Sequence, residues 1–199
     1  LFFMGVGDFA IIKDKYKNIP VDYYVEPKYT DVARKIFGLT PEMMGFFSKT
    51  LGVEYPWPKY AQMVGRDYVS GAMENTSATL HGSAAYQKSR SLIDANRWER
   101  VVAHELFHQW FGDHVTCKTW KDIFINEGFA TYGEYLAYEH FRGWAAAQNL
   151  MQDVHDNVLT DPDARIWFTD TNNVSRIFDS RLTYDKGNAI CHTLRFVIG

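Results

Sequence analysis

The sequence predicts an α+β fold, in which a small mixed sheet comes first and helices follow. Two observations carry this. Runs rich in β-branched and aromatic residues, bounded by turn residues, occupy the first third of the chain. Long segments with apolar residues at helical spacing occupy the second half, and strands followed by helices is the α+β order rather than the alternating βαβ one.

Taken in order, residues 9–16 and 21–25 read as strands separated by Asn18 and Pro20. Residues 31–37 carry a short helical pattern. Thr40-Pro41-Glu42 supplies an N-cap, a proline at the first helical position and an acid in the first turn, which predicts a helix to about residue 51. Pro56-Trp57-Pro58 ends that unit. Residues 61–69 read as a strand leading into Gly71-Ala72-Met73-Glu74-Asn75, and the Ser/Thr/Ala-rich stretch to Tyr86 as a further edge strand. Asp94 is the expected cap of a helix to about Phe111, with Val101, Val102, Leu106 and Phe107 among its apolar positions. A second helix is expected from Trp120 or Ile125 to Phe141, and a third from Trp144 to about Leu159. Asp161-Pro162-Asp163 breaks the pattern, and a last helix begins near Tyr184. Trp110, Trp120, Phe124 and Phe129 read as core. No internal repeat is present.

Bulk properties narrow the function. A chain of 199 residues fits a single domain, 1–199, able to bury a real core. Hydrophobic content of 46%, charged content of 23% and a net charge of −3 are those of a globular protein. That balance offers neither nucleic acid nor an anionic membrane a basic surface. No apolar run reaches the roughly 18 residues that a membrane-spanning helix needs. Cys117 and Cys191 are too few for a disulfide framework and read as free thiols. The chain opens on Leu1-Phe2-Phe3-Met4, without the basic lead of a signal peptide. It closes on an apolar run to Gly199 that resembles a helix cut mid-course. The expectation is a piece of a longer protein.

The chemistry concentrates in His104-Glu105-Leu106-Phe107-His108. On a helix, positions i and i+4 share a face, so both imidazoles can reach one metal ion, with Glu105 beside them to take a proton from water. Zinc is the ion such a set suits, and three protein ligands would leave a fourth position open for chemistry. Two residues compete to be the third ligand. His114 has the spacing of the HExxHxxGxxH pattern, but Phe111 stands where that pattern needs glycine and Gly112 falls one residue late. Glu127, in Asn126-Glu127-Gly128-Phe129-Ala130, follows His108 after the 18 residues 109–126, room for a loop and a returning helix. Glu127 is the preferred reading, which leaves His114 at the surface or behind the ligands. His81, His140, His155 and His192 fit no ligand spacing and read as structural or surface residues.

HExxH, then Glu after 18 residues within Asn-Glu-Gly-Phe-Ala, resembles the gluzincin aminopeptidases, the family of aminopeptidase N and the leukotriene-epoxide hydrolase. Gly71-Ala72-Met73-Glu74-Asn75 matches that family's exopeptidase motif upstream, and Tyr184-Asp185-Lys186-Gly187 its Tyr-x-Lys-Gly signature downstream. The resemblance covers most of the chain. It implies a thermolysin-like catalytic domain, a small mixed sheet and then a mostly helical part, with the zinc site between. It also implies a β domain before and a helical domain after, neither of which is in this chain.

By the same resemblance, His104, His108 and Glu127 hold one Zn(2+), and Glu105 is the general base and then the proton donor. Glu74 binds the free α-ammonium of a peptide substrate, which a carboxylate can distinguish from an amide. Gly71, Ala72, Met73 and Asn75 line the substrate beside it, their small residues letting a peptide lie alongside as an added strand. Tyr184 donates a hydrogen bond to the developing oxyanion. Glu134, seven residues after Glu127, shares its helix face with Thr131 between; support for the zinc histidines and an exposed face explain Glu134 equally well. The implied function is removal of single residues from peptide N-termini. The alternatives are a thermolysin-like endopeptidase, which has no use for an amine-binding carboxylate, and a non-catalytic scaffold, which would have shed a ligand or the base.

Overall fold

The structure, a computed structural model, describes residues 3–199; Leu1 and Phe2, which head the apolar opening run, lie outside the described residues. It is α+β and divides into one compact unit reaching Gln109 and a second, Trp110–Gly199.

The first unit holds a five-stranded mixed sheet in the order β1-β2-β3-β5-β4. The strands are β1 (Ala10–Tyr16), β2 (Ile19–Val25), β3 (Tyr60–Gly65), β4 (Ala72–Met73) and β5 (Ala78–Gly82). β1 and β2 form a hairpin, β2–β3 and β3–β5 are parallel, and β4 closes the sheet antiparallel to β5. Alternate residues of β2 and β3 are buried, Val21, Tyr23 and Val25 with Tyr60, Gln62 and Val64. Helices α1 (Thr30–Phe37) and α2 (Thr40–Leu51) contribute Ile36, Phe37, Met43, Met44 and Phe47 to the same core. The expected placing of an edge strand after the Glu74 loop is corrected. β5 lies inside the sheet between β3 and β4, because its partner across the turn, β4, is the terminal strand. The strand expected over residues 61–69 ends at Gly65.

Two helix starts also differ from expectation. Thr40 is inside α2 rather than at its cap, since its hydroxyl donates to the Phe37 carbonyl at 2.6 Å. Asp94 does not cap the helix that carries His104. It ends a four-residue helix, α3 (Ser91–Asp94), after which Ala95 is extended. That helix, α4, runs Glu99–Phe107, and Asn96 organises its approach by accepting from the Trp98 N–H at 3.1 Å.

In the second unit, α5 (Phe124–Arg142) and α6 (Trp144–Leu159) fall close to where the sequence puts them. The short α7 (Val174–Ile177) leads to a π-helical segment, Ser180–Lys186, and then to α8 (Gly187–Ile198). Tyr132, Tyr135, Ala147, Met151, Val154 and Cys191 form the core shared by α5, α6 and α8. Trp110 and Ile123 are buried, but Trp120 is 53% exposed and is not core. Both cysteines are free thiols. Among the described residues no helix is long and apolar enough to cross a membrane.

Candidate active site

His104 lies on the buried face of α4, and His108 caps its C-terminus with its N–H on the His104 carbonyl. That single helical turn brings the two imidazole Nε2 atoms to 3.0 Å from each other, both rings being buried. Helix α4 is held at both ends. Phe107 meets Phe47 of α2 edge-on, with ring centroids 5.0 Å apart. At the other end the Trp98 indole donates to His81 Nδ1 at 3.1 Å. His81 therefore carries its proton on Nε2, facing the Gln62 oxygen at 3.0 Å, while the Gln62 amide donates to Thr40 at 2.7 Å. Every polar member of this buried chain is satisfied, so it ties sheet to helices without leaving an unpaired group. Burial pushes the His81 imidazole down to about 3, so the ring is neutral.

Glu127 is buried in the first turn of α5. Its neighbour Asn126 accepts from the Cys117 N–H at 3.0 Å, which fixes the loop entering the helix. Thr131 donates to the Glu127 carbonyl at 2.7 Å, one turn along the helix, and Glu134 is half-buried. Gly128 has a separate reason to be glycine. A Cβ there would stand 2.8 Å from the Gly187 Cα, and one on Gly187 would stand 2.7 Å from the Gly128 Cα. The Asn-Glu-Gly and Tyr-x-Lys-Gly segments thus meet backbone to backbone through their glycines. Tyr184 lies on the π-helical segment, three residues before Gly187, and is half-buried. Lys186 of the same motif donates to the Pro162 carbonyl at 3.0 Å and to that of Ala164, which anchors the preceding loop.

His104, His108 and Glu127 each offer a ligand atom, and these atoms all lie within 4.8 Å of one another. An ion ~2.0–2.1 Å from each of two nitrogens at a tetrahedral angle separates them by about 3.3 Å. The observed 3.0 Å is a few tenths tighter. Two imidazoles and one carboxylate, all buried, could hold a divalent metal ion with a position left open. His114 is outside this group; it is exposed in the tight turn closed by Gly112 N–H on the Val115 carbonyl.

Glu105 is buried beside His104. In the first unit Glu74 follows β4 directly and is half-buried, Asn75 is buried, and Ala72 and Met73 form β4, with Gly71 exposed before them. The Tyr68 phenol is pushed up by burial first and then by the negative charges of Glu105 and Glu74. That shared influence puts the two carboxylates in one neighbourhood. The sequence reading missed Gln109, which directly follows His108 and is buried.

The model of the peptidase family M1 domain matches residues 36–199. The chain belongs to peptidase family M1. It is 31% identical over 200 residues to glutamyl aminopeptidase of Sus scrofa, covering 93% of this chain and 21% of that one. It is 28% identical to probable aminopeptidase 2 of Sulfurisphaera tokodaii, over 100% of this chain and 26% of that one. It is also 28% identical to the mitochondrial aminopeptidase 2 of Saccharomyces cerevisiae, over 98% of this chain and 21% of that one. The chain therefore spans about a fifth to a quarter of the length of these family M1 relatives.

Proposed function

We propose that the chain is one catalytic domain of a longer zinc-dependent aminopeptidase, which releases the N-terminal residue of peptides. The observation that carries this is the buried His104–His108–Glu127 group on a chain of family M1. Two imidazoles and a carboxylate are the donor set of catalytic zinc, which when bound makes water acidic near neutral pH and polarises a carbonyl.

The chain's own residues supply the rest. Glu105 takes the proton from the attacking water and returns it to the leaving amine. Tyr184 donates a hydrogen bond from its phenolic O–H to the oxygen on which charge develops. Glu74 accepts a charge-assisted hydrogen bond from the substrate ammonium, which sets the scissile bond one residue from the end. Gly71, Ala72, Met73 and Asn75 present backbone alongside the substrate, and β4 supports this as the terminal strand of its sheet among the described residues.

The test compares one peptide with and without an N-acetyl cap on the full-length enzyme and its Glu74→Ala variant. The free-amine peptide should be trimmed and the capped one spared. Glu74→Ala should lose at least about tenfold in kcat/KM on the free peptide, as removal of a charged hydrogen bond worth ~1.5–3 kcal/mol implies. Internal cleavage of the capped peptide at the same rate would make the protein an endopeptidase.

A further inference from the structure

Gln109 sits one bond beyond His108 and is fully buried, with 0% of its surface exposed. Its side-chain oxygen accepts from the Ser77 N–H at 2.7 Å and its amide nitrogen donates to the Glu74 carbonyl at 3.0 Å. Its own carbonyl is held by the Trp57 indole at 3.1 Å. Both ends of one amide are thus spent on the backbone of one turn, residues 74–78. The turn is closed by the Ala78 N–H on the Asn75 carbonyl at 2.7 Å, and it places Ser77 at φ +61, a left-handed conformation costly for any residue but glycine. A conformation of that kind persists where its surroundings over-determine it. Here the Gln109 oxygen takes the Ser77 N–H directly.

We propose that Gln109 is a positioning residue that fixes the separation between the Glu74 carboxylate and the metal ligand His108, and so the register of cleavage. The proposal rests on the aminopeptidase reading above. Successive Cα atoms are ~3.8 Å apart, so a slip of one residue along the substrate needs only a displacement of that order between amine anchor and metal. Glu74 is anchored through its backbone, which leaves its carboxylate for the substrate. An amide is the side chain that offers one donor and one acceptor at such a junction. Because Gln109 and His108 are adjacent, the tether passes from the metal-ligating segment to the amine-binding turn through a single side chain.

The experiment uses the full-length enzyme with Gln109→Met, which keeps length but neither hydrogen bond, and Gln109→Glu, which keeps shape and the acceptor but not the amide donor. Metal content and thermal unfolding are measured beside kinetics, and products are separated by mass. Gln109→Met should keep about one metal per chain. It should lose at least about tenfold in kcat/KM on a free-amine peptide, chiefly in kcat, and release dipeptides beside single residues. Gln109→Glu should change in the same direction. In a Glu74→Ala background, Gln109→Met should cost less than about threefold more, since the two residues act as one. Losses that multiply in full, or products that stay single residues only, would overturn the assignment. Failure of both variants to fold would make Gln109 a purely structural residue and overturn it as well. A wild-type enzyme that cuts the acetyl-capped peptide internally overturns the aminopeptidase reading itself, and this is seen before any Gln109 variant is made.

Discussion

His81 is fully buried on β5, between Gln62 and the Trp98 indole, with no charged partner among these hydrogen bonds. Its imidazole falls from an ordinary 6.5 to about 3, and burial is the cause. The unfolded chain therefore binds the proton that the folded chain refuses. Stability from this group is complete above pH 6.5 and is lost as pH falls from there toward 3. At pH 5 the loss amounts to about 2 kcal/mol. His81→Gln should abolish that part of the slope, so the difference in urea midpoint between wild type and variant should change between pH 7 and pH 5. A difference independent of pH would mean that His81 protonates freely in the folded protein. Nothing in the sequence separated this histidine from the surface ones; its burial depends on which strand lies inside the sheet.

At the scale of elements, the backbones of α5 and α8 touch at Gly128 and Gly187. Alanine in a helix is normally favoured over glycine by ~1 kcal/mol. Here an added Cβ would stand 2.7–2.8 Å from opposing backbone, which cannot move aside as a side chain can. Overpacking of this kind costs about 1–3 kcal/mol, so the clash exceeds the propensity gain. Gly128→Ala and Gly187→Ala should each lower the thermal midpoint, while Gly143, at φ +90 with nothing near, marks only a turn between α5 and α6. A midpoint unchanged or raised in Gly187→Ala would show that the helices can separate without loss. The helices α5 and α6 were legible from their apolar spacing. The start of α4 was not: Asp94 ends α3, Ala95 after it is extended, and α4 begins at Glu99 with no side-chain cap for the sequence to reveal. Likewise, a run of Ser, Thr and Ala says strand, but not whether its neighbours make it central or edge.

For the whole molecule, a buried group of two imidazoles and a carboxylate implies that metal binding and folding are coupled. The full-length enzyme should contain one zinc per chain by metal analysis. Removal by chelator should lower its thermal midpoint, with about 2.7 kcal/mol lost for metal formerly at a hundred times its dissociation constant. Glu105→Gln should keep that metal and that midpoint while losing most turnover, because the base is removed and no ligand is. A melt unaffected by complete metal removal would show that the histidines and Glu127 are as well satisfied without an ion.

The sequence by itself determined the α+β order, the helical turn that pairs His104 with His108, and the three motifs that point to family M1. These are local patterns, written in spacings of two, four or a few residues. Only the tertiary structure decided that β4 and not β5 ends the sheet, and that Gln109 grips the turn after Glu74. Each of these depends on segments far apart in the chain arriving together, and the free energy that brings them there is burial, which no single stretch of sequence contains.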